Sequence, residues 1–134
     1  MPRAPLPTEL SRFLAAPHPA VVSSVRPDGA PVTAATWYAW EDDRVVLSMD
    51  ADGLRARNLR AEPRIALTVL GDDWYSQLSL IGRVVELRPD PTLADLDRIS
   101  RLYTGEPYPE RDLDPVTALV EIDRWSTFGS PGTP

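Results

Sequence analysis

The stretch RVVLSMDADGLRARNLRAEPRIALTVL, residues 44–70, changes its spacing pattern twice. Arg44 to Met49 is rich in valine and leucine and reads as a strand. From Asp52 to about Ala61 the pattern becomes helical, with Asp52 available as a cap. Pro63 limits that helix, because a residue before proline is pushed out of the α region. Arg64 to Leu70 then returns to strand. A strand, a short basic helix and a second strand therefore follow one another without an intervening long loop.

Working outward from this stretch gives the rest of the chain. Upstream, Thr8 to Ala16 reads as a helix capped by Thr8, with Leu10, Phe13 and Leu14 on one apolar face, ended by Pro17 and Pro19. Ala20 to Arg26 and Val32 to Trp40 read as two strands of a hairpin. The turn between them is Pro27-Asp28-Gly29, where proline fixes one dihedral and glycine accepts a positive one. Glu41-Asp42-Asp43 turns the chain into the strand at Arg44. Downstream, Gly71-Asp72-Asp73 precedes one long strand, Trp74 to Leu87, with a bend expected at Gly82. Pro91 to Tyr103 reads as a helix, because Leu93, Leu96, Ile99, Leu102 and Tyr103 recur at steps of three and four. A proline-rich loop, Gly105 to Pro115, leads to a last strand, Val116 to Ile122, and a tail through Trp125 and Phe128.

Strands joined by turns of a few residues pair as meanders, so these elements predict an α+β fold with a mainly antiparallel sheet. Closure of such a sheet into a barrel removes its edges. The length of 134 residues fits one domain, 1–134, with residues 1–7 and 130–134 read as flexible ends.

Composition excludes several kinds of chemistry. There is no cysteine, so neither a disulfide nor a thiolate metal site can form, and a single histidine, His18, excludes paired-histidine metal motifs. A net charge of −6 argues against general nucleic-acid binding. All 14 basic residues are arginine, which rules out Schiff-base lysine chemistry. No apolar run approaches the roughly 20 residues of a membrane span, and the start of the chain lacks a signal-peptide layout. The expectation is a cytoplasmic protein.

Positive charge is nevertheless concentrated in one place. Arg55, Arg57, Arg60 and Arg64 lie within ten residues, offset only by Glu62. Arg55 and Asn58 are three apart and share a helical face. Free N–H groups at a helix start, together with planar guanidinium forks, suit a phosphate. The plain alternative is a solvated helix whose arginines pair with some of the 20 acids.

The order of these segments resembles a known family. A strand, the Pro-Asp-Gly turn, a strand holding Trp37-Tyr38-Ala39-Trp40, a strand ending Leu47-Ser48, and Arg55-Ala-Arg-Asn-Leu-Arg-Ala-Glu-Pro-Arg64 before Ile65 are similar to the pyridoxamine-5′-phosphate-oxidase-like split β-barrel proteins. More closely they resemble the deazaflavin (coenzyme F-420)-dependent reductase branch of actinobacteria. The resemblance covers about Pro17 to Leu87 and extends loosely to Trp125–Gly129. It implies a six- to seven-stranded split β-barrel with short flanking helices, and a homodimer with cofactor sites between subunits. It implies that Ser48, Arg55, Arg57 and Asn58 meet the cofactor phosphate, that Met49 also touches the cofactor, and that the ring lies along Thr33, Ala34 and Ala35. Trp74, Tyr75 and Ser76 would come from the other subunit. Family members often have a lysine in the phosphate segment; this chain has arginine throughout.

Other residues have plainer readings. At least one of Trp37, Tyr38 and Trp40 reads as core or dimer contact, Tyr103 as helix packing, and His18 as a solvated or capping residue. The Gly105–Pro109 loop could flank a substrate pocket. No acid–base catalyst stands out, which fits cofactor-borne hydride transfer. The functions that remain open are an oxidoreductase using F-420 on a small unsaturated or aromatic substrate, the same fold using FMN, a non-catalytic cofactor-binding dimer, and a purely structural protein.

Overall fold

A computed structural model of the chain describes residues 1–132. The elements are α1 (Thr8–Ala15), β1 (Ala20–Val25), β2 (Pro31–Thr36), β3 (Ala39–Glu41), β4 (Arg44–Asp50), α2 (Leu54–Ala61), β5 (Arg64–Leu70), β6 (Ser76–Pro89), α3 (Ala94–Thr104) and β7 (Pro115–Gly129). The seven strands form one sheet in the order β2-β1-β5-β6-β7-β4-β3. Every pairing is antiparallel.

The order explains why the sheet must curl. β2 and β3 lie at its two ends, yet only Trp37 and Tyr38 separate them in sequence. Flat, six interstrand gaps would span about 29 Å. The connection from Thr36 to Ala39 reaches about 11 Å at most. The two edges are therefore brought near each other, and the sheet is a split barrel of the α+β class.

That closure also corrects one expected element. Val32 to Trp40 is not a single strand: it breaks at Trp37-Tyr38, where the chain steps from one edge of the sheet to the other. Each residue in the run favours extended backbone, so local sequence gives no sign of the break. The β1–β2 turn is as expected, with Gly29 at φ +87° and Arg26 N–H donating to the Ala30 carbonyl at 2.9 Å.

Period-2 alternation fills the barrel. β5 buries Ile65, Leu67 and Val69, and its register with β1 and β6 sets them beside Val22, Leu78 and Leu80. Each such side chain contributes about 1.5–3 kcal/mol when fully buried. β4 is buried on both faces. Val45, Leu47 and Met49 join the barrel core, while Val46 joins Ala39, Ile99 and Leu119 in a second core. α3 covers that second core through Ile99, with Trp37 and Tyr103 packed at its margin.

Several boundaries differ from expectation. Pro7, not Thr8, is the α1 N-cap, and Gly53, not Asp52, is the α2 N-cap; neither helix has a side-chain cap. α3 begins at Ala94, after a turn in which Leu93 is left-handed, and Asp90 accepts from the N–H groups of Asp95 and Leu96. Leu102, expected on the buried stripe of α3, is 41% exposed. The long strand starts at Ser76, leaving Trp74 and Tyr75 in the turn before it. The irregularity expected at Gly82 is present as a register shift between Ile81 and Gly82, where a β-carbon would run into the Glu121 carbonyl. β7 extends to Gly129, and the presumed tail pairs with Ser76–Ile81.

The chain ends are tied to the sheet in part. Arg3 bridges to Arg124, Ala4 N–H donates to the Asp123 carbonyl, and Ser130 N–H donates to the Tyr75 carbonyl. Of the ends expected to be flexible, residues 133 and 134 lie outside the described residues.

Candidate functional site

The ends of β2 and β4, the start of α2, and α3 with its following loop surround a cavity of about 790 Å³. This volume is in the range of small-molecule and cofactor pockets. Its two ends differ in chemistry.

One end is polar and is built from a short piece of chain. β4 delivers Ser48, Met49 and Asp50 to the wall, and Gly53, Leu54 and Arg55 follow directly as α2 begins. The first backbone bond of α2 runs from Arg57 N–H to the Gly53 carbonyl, 3.1 Å. The N–H groups of the preceding turn have no partner within the helix, and no side chain caps them. An anion is favoured at such a terminus by both the free donors and the helix dipole.

Arg55 adds a full charge there. It is half-buried, and its one described polar contact is a long 3.5 Å bond from Nη1 to Thr36 Oγ1. No described carboxylate is paired with it. Its burial without a counter-ion disfavours the charged form and pulls its pKa below the ordinary value. The other arginines of the cluster differ. Arg60 donates to the Ala51 carbonyl at 2.8 Å, Arg64 pairs with Glu62 at 2.7 Å, and Arg57 is exposed. Asp50 shares the rim and is itself exposed.

The other end is aromatic and is assembled from distant segments. Trp37 stacks on Tyr103 with ring centroids 5.1 Å apart and planes at 11°, and meets Tyr108 edge-on at 6.2 Å. Leu96, Ile99 and Leu113 complete this wall. Tyr103 donates its hydroxyl to the His18 carbonyl at 2.7 Å and accepts from Tyr38 N–H. Tyr38 donates to the Ala16 carbonyl at 3.1 Å. Burial raises the pKa of both phenols, and for Tyr38 the neighbouring Tyr103 adds to the shift.

The residues singled out from sequence fall into three groups. Ala35, Ser48, Met49 and Arg55 come together on the cavity wall. Thr33 and Ala34 are exposed further along β2, and Arg57 points away into solvent. Asn58 does not share the position of Arg55: it is 1% exposed, and its Nδ2 has no hydrogen-bond partner. Trp74 and Tyr75 are exposed at the β5–β6 turn, away from this chain's own cavity wall. Sequence reasoning missed Thr36, Leu54 and Leu113, assigned Tyr103 to packing, and did not single out Trp37 from Tyr38 and Trp40. Tyr108 lay in the loop suspected of flanking a pocket, but nothing in its local pattern marked the residue. His18 has a structural role, donating or accepting at the Phe13 carbonyl (2.9 Å) and stacking on the Phe13 ring.

Comparison with known proteins places this geometry. The family model described as pyridoxamine 5′-phosphate oxidase matches residues 6–128. The chain belongs to the pyridoxamine 5′-phosphate oxidase family. This is a family of flavin- and deazaflavin-type oxidoreductase-like proteins. Among solved structures, this family member is similar to an F-420 reductase, at 29% identity and a TM-score of 0.81, over 92% of this chain and 98% of that one. It is similar to a conserved hypothetical protein from Mycobacterium tuberculosis, at 24% identity and a TM-score of 0.73, over 95% and 86% of the two chains. It also shares its fold with general stress protein 26 from Bacillus anthracis, at 14% identity and a TM-score of 0.70, over 90% and 91%. No curated protein matches the chain by sequence. Among the described residues, no helix is long and apolar enough to cross a membrane.

Proposed function

We propose that this chain is an oxidoreductase that binds the deazaflavin coenzyme F-420 and passes a hydride to a small unsaturated or aromatic substrate. The observation that carries the reading is Arg55: a half-buried guanidinium on a cavity wall, beside an uncapped helix start, with no described carboxylate to balance it. A phosphate supplies the missing charge. The 29% identity to an F-420 reductase over nearly the whole of both chains supports the choice of cofactor.

In this reading Arg55, Ser48 and the first N–H groups of α2 hold the phosphate, and Met49 packs beside it. Thr33, Ala34 and Ala35 give the ring a strand of small side chains. When bound, the deazaflavin supplies the hydride chemistry. The protein's part is to orient the two reactants and exclude water, with Trp37, Tyr103 and Leu96 forming the dry wall. A proton for the product comes from solvent.

The active species is proposed to be a homodimer. Trp74, Tyr75 and Phe128 are 75%, 71% and 58% exposed, and Tyr75 stacks on Phe128. Such a cluster of large aromatics is costly to leave in water, and a second subunit would cover it and contribute Trp74, Tyr75 and Ser76 to the neighbouring cofactor site. FMN is the second reading, favoured by the flavin-type cofactors of the family. A titration separates them. F-420 fluorescence should change at micromolar protein, and the same protein should purify without a flavin spectrum. A yellow protein that ignores F-420 would favour FMN; binding of F-420 without turnover over a broad set of acceptors would leave a non-catalytic dimer. Light scattering that gives a monomer mass at all concentrations would remove the dimer from the account.

A further inference from the structure

Tyr103 and Tyr108 line the aromatic end of the cavity, Tyr38 is buried in the core behind Tyr103, and the three differ in what their hydroxyls do. Tyr38 donates to Ala16, and Tyr103 donates to His18. The Tyr108 hydroxyl has no hydrogen-bond partner among the described residues, although Tyr108 lines the cavity. Its main chain, by contrast, is held on both sides. Tyr108 N–H donates to Asp97 Oδ1 at 3.0 Å, and the Tyr108 carbonyl accepts from Arg111 Nη1 at 3.0 Å. Arg111 also donates to both Asp97 oxygens, at 2.7 and 3.0 Å. A bidentate pair of this kind fixes direction as well as distance. The clasp thus anchors one residue of an otherwise irregular, proline-rich loop to α3 and aims it at Trp37.

We propose that Tyr108 is a specificity-determining residue that selects a planar aromatic ligand bearing one hydrogen-bond-accepting oxygen and no negative charge. The inference rests on reading the cavity as an oxidoreductase site, and it names the class of that site's acceptor substrate. The ring wall of Trp37, Tyr103 and Tyr108, closed by Leu96, Ile99 and Leu113, suits a flat apolar body. Of the two tyrosines on that wall, only Tyr108 offers a free phenol O–H. Negative charge is not welcome there. Asp97 is neutralised by Arg111, the unpaired cation Arg55 belongs to the other end, and Glu106, Glu110, Asp112 and Asp114 in the surrounding loop repel anions. A site with a placed donor also discriminates against a ligand that lacks the acceptor, because a ligand that covers the half-buried Tyr108 hydroxyl and offers it no acceptor strips it of water and leaves it unpaired.

The test compares two neutral probes of nearly one shape, 1-acetylnaphthalene and 1-ethylnaphthalene, titrated against the full chain by ligand-observed NMR. The wild type should bind the ketone roughly five-fold more tightly than the hydrocarbon, the size of one neutral hydrogen bond. Tyr108→Phe should keep its melting temperature, since the hydroxyl supports nothing in the fold, and should bind the two probes equally. Trp37→Leu should weaken both. A wild type that binds neither probe, or binds both alike, overturns the proposal, and so does a Tyr108→Phe protein that still prefers the ketone. If Trp37→Leu does not fold, the Tyr108→Phe comparison decides alone. Inorganic phosphate is titrated separately: its failure to bind would count against the Arg55 end and leave the probe result standing.

Discussion

The polar and aromatic ends of the cavity are made by different means. The polar end comes from one uninterrupted segment, Ser48 to Arg55, where a strand end runs straight into a helix start. The aromatic end gathers Trp37, Tyr103 and Tyr108 from a strand crossover, a helix and a loop, and shares Ile99 with the small core under α3. A locally built site can change charge without disturbing packing. A site that is also the margin of a core cannot. Binding and stability should therefore be separable at the first end and coupled at the second.

The largest expected effect follows from that coupling. Ile99→Ala empties part of the small core beside Val46 and Leu119, and should cost about 2–5 kcal/mol in urea unfolding. Arg55→Ala should cost less than about 0.5 kcal/mol in the same experiment, as a substitution outside any core. Equal losses at the two positions would break the contrast.

A smaller effect should appear on acidification. The hydrogen bonds from Arg111 hold the Asp97 carboxyl below its ordinary pKa; burial opposes them, and the Tyr108 N–H and the nearby Arg111 and Arg101 charges add to the lowering. A carboxyl depressed in the folded state stabilises it above about pH 4, the ordinary carboxylate value, and that contribution fades as pH falls through the folded pKa. Amide exchange in the 105–115 loop, corrected for intrinsic rates, should therefore loosen below about pH 4 more than exchange in β5. Asp97→Asn should loosen the loop at neutral pH and flatten that response. A loop equally protected at all pH values would show that the clasp does not hold it.

The smallest effect is expected at Arg57. It is exposed and absent from the cavity wall, so Arg57→Ala should change cofactor affinity by no more than about two-fold, the scale of a solvated charge. A loss as large as that at Arg55 would mean that the helix presents a broader basic face than the cavity geometry indicates.

This contrast also governs what could be read from the sequence. β1, β4 and β5 follow from their valine- and leucine-rich runs and the turn residues around them because the information is local. The break at Trp37-Tyr38 is imposed by barrel closure between strands far apart in the sheet order, so the β-forming run 32–40 conceals it. The second half of β7 is polar and reads as tail, yet it is required by pairing with Ser76–Ile81. In α2, three-residue spacing put Arg55 and Asn58 together. Residues three apart still differ by roughly 60° around a helix, and here that is enough to send Arg55 to the cavity and Asn58 into the interior. The Arg55 signal was legible as charge density in an acidic chain. The aromatic wall was not, because an aromatic residue at helical or strand spacing looks the same whether it fills a core or borders a cavity.

The central claim is that the uncompensated charge of Arg55 binds the cofactor phosphate. The direct measurement is a fluorescence titration of F-420 with wild type and Arg55→Ala, with equal unfolding midpoints confirming that both are folded. Loss of a charge-assisted hydrogen bond predicts an affinity about 10- to 150-fold weaker for the variant. Equal affinity in the two proteins, or no binding by the wild type, would contradict it.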